Sequence, residues 1–501
     1  MSKKYILAVD QGTSGSKAVV VNIEGDIVAS KSKEHKQYYP APGWIEHDPM
    51  KIYTNVKFLL KEVVKIANLN LEDIDVLSIT NQRDTVVVWD KQTGKPLYNA
   101  IVWQCRRTSD ICTQLKTMGF EKTIKDKTGL MLDPCYSATK IKWILDNIEG
   151  ARQKAKAGKI MAGTIDTWLI WKLTNGKVHA TDYTNANNTL LFNIKLLKWD
   201  EELLEIFNIP QNILPEVKSS NDIFGTTYKD ELFNLEIPIS GVIGDSQGAL
   251  FGEQCFKPGM VKATYGTGSS IMMNTGNKLI QSKKGLVTVI AWGIDSKVEY
   301  ALEGDITCAG DALKWVKDNL ELFKNFSEVE DLVKSLKDNE GVYMVPAFSG
   351  LGAPHWDTYA RAAVVGLSRR SSREHVVRAA LESTAYQVRD IVEIMRIESR
   401  IKLKELRANG GLTKSHFLMQ FQSDMLNICV EKSRIEDVSL IGSVYLAGLG
   451  LGLWKSIEDI KELREESQSF NPTMDSSTRE KYYQGWKLAV KRVLTNNVVF
   501  H

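Results

Sequence analysis

One pattern occurs twice in this chain and limits what it can become. Residues 5–30 begin with a short apolar strand, YILAVD, and enter the turn DQGTSGS. They return along a second strand and reach a third after a turn at Glu24-Gly25-Asp26. Residues 259–282, GMVKATYGTGSSIMMNTGNKLIQS, repeat the order: strand, YGTGSS, strand, a turn at Thr275-Gly276-Asn277, strand. One Gly/Ser/Thr turn between strands is a weak signal. Two, each following an apolar strand, point to two related domains whose turns face a shared cleft. A chain of 501 residues also exceeds what one hydrophobic core supports. We place the boundary near residue 250, with domains over 1–250 and 251–501. No Pro/Ser-rich or low-complexity stretch separates them, so they are expected to pack closely around a hinge.

Helical and strand periodicities alternate within the first half. KIYTNVKFLLKEVVKIA (51–67) carries Ile52, Val56, Leu59, Leu60, Val63 and Val64 on one helical face. VLSIT (76–80) and TVVVWD (85–90) read as strands. The fold class is therefore α/β. With 64 Lys and Arg against 61 Asp and Glu, the net charge is +3, which argues against nucleic acid or a membrane surface as partner. The apolar stretch in MSKKYILAVDQG stops at Asp10, too short for a signal peptide, so a cytoplasmic location is expected. Cysteines at 105, 112, 135, 255, 308 and 429 form no C-x-x-C pair, and no histidines have H-E-x-x-H spacing. Free thiols are expected.

DQGTSGSK (10–17) invites comparison with a Walker A loop, but Gly12 and Gly15 are too close and AVVVNI after Lys17 is strand-like rather than helical. A β-hairpin phosphate loop fits better, with backbone amides exposed by glycine, hydroxyls from Thr13 and Ser14, and a cation from Lys17. Asp10 and Asp245, the latter in VIGDSQGALFG (242–252), each stand at a strand end. A carboxylate there suits Mg2+ held through water, or proton acceptance from an attacking hydroxyl. Asp245 also suits a helix N-cap, a reading compatible with both. NQRDT (81–85), VWQCRR (102–107) and DPCYSATK (133–140) bring charged and aromatic groups to strand ends or loops. Arg83 and Asp84 fit either a surface ion pair or a polyol site with Trp103 as its apolar wall.

Together these motifs resemble the FGGY carbohydrate kinases, and within them the glycerol-kinase branch. The resemblance runs almost end to end: AVDQGTSGSKA, GWIEHDP (43–49), ITNQRDT, NAIVWQCRRT (99–108), GTIDTWLIWKLT (163–174) and VPAFSGLGAPHWD (345–357). The family's C-terminal signature is matched by AAVVGLSRRSSREHVVRAALE (362–382). Its first signature is met from Ser137 through Lys140, Trp143 and Asn147, with Cys135 where an aromatic residue is usual.

The resemblance implies two actin-like (ribonuclease H-like) domains with ATP and Mg2+ in the cleft between them. It implies γ-phosphate transfer to a terminal hydroxyl, with Asp245 as general base and Asp10, with Asp245, on the metal. Thr13, Ser14 and Lys17 become the first phosphate loop, and Gly266 and Thr267 the second. Gly310, Lys314, Gly410, Gly411 and Ser415 fall on the nucleotide, with Lys314 replacing a usual Gln and Ser415 a usual Asn. Altered nucleotide affinity is the expected result.

On the acceptor side Arg83 and Trp103 match the branch. Asp84 replaces Glu, Cys135 replaces Tyr, Ser246 replaces Gln and Ser270 replaces Phe, with Tyr136 and Gln247 completing the set. All four replacements shrink the side chain, so the expectation is a small-molecule polyol or open-chain sugar longer than glycerol, with glycerol itself the alternative. A non-catalytic ATP-binding regulator of the same fold is the competing class; retention of Asp10, Asp245 and both loops argues against it. The resemblance further implies a homo-dimer or tetramer. GTTYKDELFNLEIPISG (225–241) contains neither a Gly-Gly-Lys-Gly-Gly-type regulatory loop nor histidine, so the control found in some relatives is expected to be missing.

Overall fold

The structure, a computed structural model, describes residues 4–229, 236–464 and 467–495. Residues 230–235, the middle of the segment inspected for a regulatory loop, lie outside the described residues. The first sheet begins with β1 (Tyr5–Gln11), β2 (Gly15–Asn22) and β3 (Ile27–Glu34). Helix α1 (Pro49–Ile66) follows, then β4 (Ile74–Asn81), α2 (Ser137–Asn147), β5 (Ile239–Gly244) and α3 (Asp245–Gly252). The strand order is β5-β4-β1-β2-β3. β1, β2 and β3 pair antiparallel, whereas β4 and β5 add in parallel.

The second half builds the same arrangement. It comprises β6 (Met260–Tyr265), β7 (Ser269–Gly276), β8 (Val287–Ile294) and β9 (Lys297–Ile306), then α4 (Gly310–Asp318) and α5 (Arg373–Ser399). β10 (Glu405–Asn409), α6 (His416–Leu426), β11 (Cys429–Lys432), α7 (Val438–Gly450), β12 (Gln468–Phe470) and α8 (Ser476–Val493) complete it. In the order β8-β9-β7-β6-β10-β11-β12, the run β9-β7-β6-β10-β11 reproduces β3-β2-β1-β4-β5. This is the expected α/β duplication.

One sequence expectation is corrected. Residues 278–282 form no strand; β7 runs on through Gly276, and the third antiparallel strand is β9, after the hairpin with β8. A local strand–turn–strand pattern cannot show which later strand pairs, because pairing is decided by the sheet. Similarly, TVVVWD gives a strand only over Val87–Asp90, and it pairs with Ile160–Gly163 outside the main sheet.

Helix α1 shows how local signals position the layers. The Asp48 carboxylate accepts from the backbone N–H of Met50 at 2.8 Å and of Lys51 at 3.1 Å, and Pro49 occupies the first turn. Such a cap is worth about 1 kcal/mol. The helix buries Ile52, Val56, Leu59, Leu60, Val63 and Val64, the face its periodicity foretold. The chain then returns late to the first sheet. α7 packs on β1, β4 and β5, and crosses α3 so closely that a Cβ on Gly442 would strike the Gly248 carbonyl. The Ser443 and Ser78 hydroxyls meet there at 3.0 Å. α7 is nearly all apolar and buried, as a helix enclosed on every side must be.

Candidate active site

Both glycine hairpins open at the same edge of their sheets, as their shared topology requires. In the first, Gly12 N–H donates to the Gly15 carbonyl at 2.9 Å and closes the turn. Thr13 accepts a 2.8 Å bond from Trp103 Nε1, while Ser14 is exposed. Lys17 reaches Asp437, at the start of α7, at 2.5 Å. In the second hairpin Gly266 N–H donates to Gly268 O at 2.9 Å. The N-terminus of α4 docks on it: Ala309 and Asp311 N–H donate to Thr267 O at 2.8 and 3.2 Å, and Gly310 N–H to Gly266 O at 3.0 Å.

The remaining nucleotide-side candidates follow from β10 and α6. Gly410 has φ +98, and a Cβ there would lie 2.5 Å from Tyr265 O, so only glycine permits this approach. Gly411 faces open space and Lys314 is exposed. Ser415 is the N-cap of α6: its hydroxyl accepts from Leu418 N–H at 3.1 Å and donates to Glu330 at 3.0 Å. A cleft of about 760 Å³ borders Gly410, Gly411, Lys414 and Glu436.

The acceptor-side candidates gather around Arg83. Its Nε lies 3.3 Å from Asp245 Oδ1, and its Nη1 donates to Gln247 Oε1 at 3.3 Å. Its Nη1 and Nη2 grip Glu303 of β9 at 3.0 and 2.9 Å, a two-pronged bond joining the halves. Asp245 is the first residue of α3 rather than its N-cap, which is Gly244, and its carboxylate accepts from Ser246 N–H at 2.7 Å. Gln247 is fully buried and donates to Ile290 O at 3.5 Å, so it braces Arg83 from behind. Asp84 has φ +70, an uncommon conformation that sets its carboxylate 3.8 Å from the Cys135 thiol. The buried Lys140 ammonium binds the Asp84, Cys135 and Tyr136 carbonyls and so holds this corner together. Tyr136 is the half-buried residue preceding α2.

The carboxylates are held reluctantly ionised. Burial, then Asp245 and Asp437, push the Asp10 carboxyl up to about 7 against Lys17. Burial lifts Asp84 to about 7 as well, against Arg83 and Lys140. Asp245 is also raised, by the protein packed around it, although its side chain stays 40% exposed to the cleft; Arg83 and Ser246 N–H oppose the shift. Asp10 Oδ1 and Asp84 Oδ1 are buried without a hydrogen-bond partner. Each is an acceptor waiting for a donor or a cation. Among the described residues no group of three or more His, Cys, Asp or Glu side chains could cage a metal. Asp10 therefore fits a divalent ion that takes most of its ligands from water and phosphate.

Sequence reading missed Glu303, Lys262 and Asp437. Lys262 is fully buried in β6, and burial lowers it to about 8. It donates to Ser270 Oγ at 3.3 Å, and Ser270 donates to Glu303 at 3.3 Å. A signal was present: a Lys inside GMVKATY and a Glu inside YALEGD interrupt apolar strands, and buried charges are rare unless paired.

Comparison with known proteins places this geometry. Residues 5–252 match the FGGY family of carbohydrate kinases, N-terminal domain, and residues 261–451 its C-terminal domain. A glycerol kinase of Thermoanaerobacter sp. (strain X514) is 55% identical over 491 residues, covering 98% of this chain and 99% of that protein. The crystal structure of Plasmodium falciparum glycerol kinase with ADP superposes with TM-score 0.94 at 40% identity, covering 99% of both chains. A ligand-bound xylulose kinase from Lactobacillus acidophilus shares the fold, with TM-score 0.87 at 22% identity over 99% of both chains. These findings overturn the expectation of an acceptor longer than glycerol, since the full-length relatives at high identity are glycerol kinases. The physical reason lies in the neighbours. At two of the four positions the smaller side chain has polar partners of its own, Ser270 with Glu303 and Lys262 and Cys135 with Asp84, so loss of bulk there does not by itself signal a longer acceptor.

Proposed function

Because this chain belongs to the FGGY family of carbohydrate kinases, we propose that it transfers the γ-phosphate of ATP to a terminal hydroxyl of glycerol, yielding glycerol 3-phosphate and ADP. It is a phosphotransferase with an alcohol acceptor, glycerol-kinase-like. The observation that carries the acceptor is the convergence of Arg83, Asp84 and Asp245 just beyond the ends of β4 and β5, with Arg83 Nε 3.3 Å from Asp245 Oδ1. A short triol offers adjacent hydroxyls to such a set. Arg83 donates to one and the free Asp84 oxygen accepts from another. Trp103 covers the carbon face.

Asp245 accepts the proton of the attacking hydroxyl. Its raised pKa supports that role, because a more basic carboxylate takes the proton more readily. Lys17 and the first-hairpin amides, with Thr13 and Ser14, receive the terminal phosphates from one side; Gly266 and Thr267 receive them from the other. Gly310, Lys314, Gly410, Gly411 and Ser415 line the nucleoside side. Asp10, with Asp245, would hold Mg2+, which when bound neutralises phosphate charge. In this reading residues 1–250 carry the acceptor and the first loop, and 251–501 the nucleotide. A cytoplasmic location and a homo-oligomer remain further expectations of this reading. No described helix is long and apolar enough to cross a membrane.

The test is ADP release with glycerol, erythritol, xylitol and xylulose as acceptors. Glycerol should give the highest kcat/KM, and any longer acceptor exceeding it would reject the reading. Asp245→Asn should lower kcat by about a thousandfold with little change in ATP binding.

A further inference from the structure

Far from this cleft, where the C-terminal ends of α5 and α6 meet the start of α8, lies a cavity of about 520 Å³. Its wall carries Arg389, Arg396, Arg400, Lys402 and Arg479 against only Glu393 and Glu480. Two of the cations have carboxylate partners: Arg396 binds Glu393 at 2.7 Å, and Arg389 binds Glu480 through Nη2. Arg479 instead donates to the Asn427 side chain at 2.9 Å. Arg400 and Lys402 are exposed, and among the described residues neither has a carboxylate partner. Arg389 is 6% exposed; its guanidinium lies 3.8 Å from the Tyr483 ring centroid, and its Nε and Nη1 have no hydrogen-bond acceptor.

Cations near helix C-termini have an ordinary explanation, since they answer the carbonyl ends of the helices. That demand is about half a charge per helix. Two helix ends are thus satisfied by one cation, whereas this wall holds three more cations than acids, five against two. Three of the five, Arg400, Lys402 and Arg479, cannot be assigned to carboxylates; Arg389 is enclosed between Glu480 and Tyr483 and is not counted among them. Unneutralised cations sharing a concave wall repel one another, and the repulsion is relieved by an anion.

We propose that this cavity binds a phosphate group carried on a small organic molecule. Arginine forks match the oxygens of phosphate, and four of the five cations are arginines. The volume lies within the range of small-molecule sites, about 300–1,000 Å³, larger than a bare ion needs. Ile401, Leu403 and Ile428 give the same wall an apolar side against which a carbon skeleton can rest. Nothing in the phosphotransfer reaction uses these residues, so the site is separate from the catalytic cleft.

Titration calorimetry of the full chain without nucleotide tests this, using inorganic phosphate, pyrophosphate and ribose 5-phosphate as probes. The ester should bind, and more tightly than inorganic phosphate. R400E/K402E should weaken it by about tenfold or more, the loss of one charged hydrogen bond. R400A/K402A should fall between, and raised salt should weaken the wild type. Both variants should retain wild-type kcat with glycerol and ATP, since neither residue approaches the cleft. Three results would overturn the proposal: no heat from any probe, binding undiminished by charge reversal, or inorganic phosphate binding as tightly as the ester.

Discussion

The two glycine hairpins have the same topology but are held in different ways. The second is clasped backbone to backbone, with three N–H groups at the start of α4 donating to Gly266 and Thr267 carbonyls. The first takes two backbone bonds, from His35 N–H to Ser14 O at 3.2 Å and from Gln82 N–H to Gln11 O at 2.7 Å, but its phosphate-side groups are held by side chains from elsewhere, Trp103 on Thr13 and Asp437 on Lys17. The second loop's backbone bonds break only if α4 moves, whereas a side-chain partner can be exchanged by rotation about its own bonds. In the proposed reading the second loop is a fixed cradle and the first an exchangeable grip, in which Lys17 leaves Asp437 for a phosphate. Between them, the Arg83–Glu303 bond sets how the halves meet.

The sharpest way to break this contrast is Gly310→Val. A Cβ at Gly310 would sit 2.7 Å from Gly266 O, so the clasp must open. We expect kcat/KM for ATP to fall by about a hundredfold, the scale of losing one transition-state donor. A comparable activity in steady-state kinetics would show that the second loop is not rigid. Next, Glu303→Gln removes the charge gripping Arg83. Breaking one partner of a buried pair costs about 3–5 kcal/mol of stability, so chemical denaturation should show a large loss and the glycerol KM should rise. An unchanged glycerol KM would mean that Arg83 is positioned by its own half alone.

The pH dependence has a smaller but directional signature. Asp10 and Asp84 are raised to about 7, so between their unfolded values and 7 the folded chain binds more protons than the unfolded chain. Stability without ligands should therefore fall as pH rises through that window. Over the same range kcat/KM for glycerol should rise as the carboxylates ionise. Calorimetric Tm measured from pH 5 to 8 checks the first, and an Asp10→Asn variant should flatten the slope. The smallest effect belongs to the exchangeable grip. Asp437→Asn frees Lys17, and a partly exposed pair is worth up to about 1 kcal/mol, so the ATP KM should drop by at most about fivefold. A rise in KM would instead make Asp437 a required support of the loop.

Much of this architecture was legible in residue order. Both hairpins, the α1 face, and the strand-end positions of Asp10 and Asp245 were read from patterns within about ten residues, the range over which periodicity and turn chemistry act. The misreadings share a cause. Residues 278–282 look like the next strand, but β9 outcompetes them by pairing with β7 across a longer loop. Ser270 looks like lost bulk, because its tie to Lys262 and Glu303 is visible only once β6, β7 and β9 lie side by side. Lys17 looks like a free cation because Asp437 is 420 residues away in the chain.

By itself, the sequence determined the α/β class, the duplicated hairpins and the chemical types assembled at the cleft. Those depend on short-range sterics and on side-chain chemistry, which each residue carries wherever it is placed. Only the tertiary structure decided which charges answer one another: Glu303 to Arg83, Asp437 to Lys17, Lys262 to Ser270. A buried charge takes its pKa and its partner from groups brought near by folding, and Coulomb energy depends on distance in space rather than along the chain.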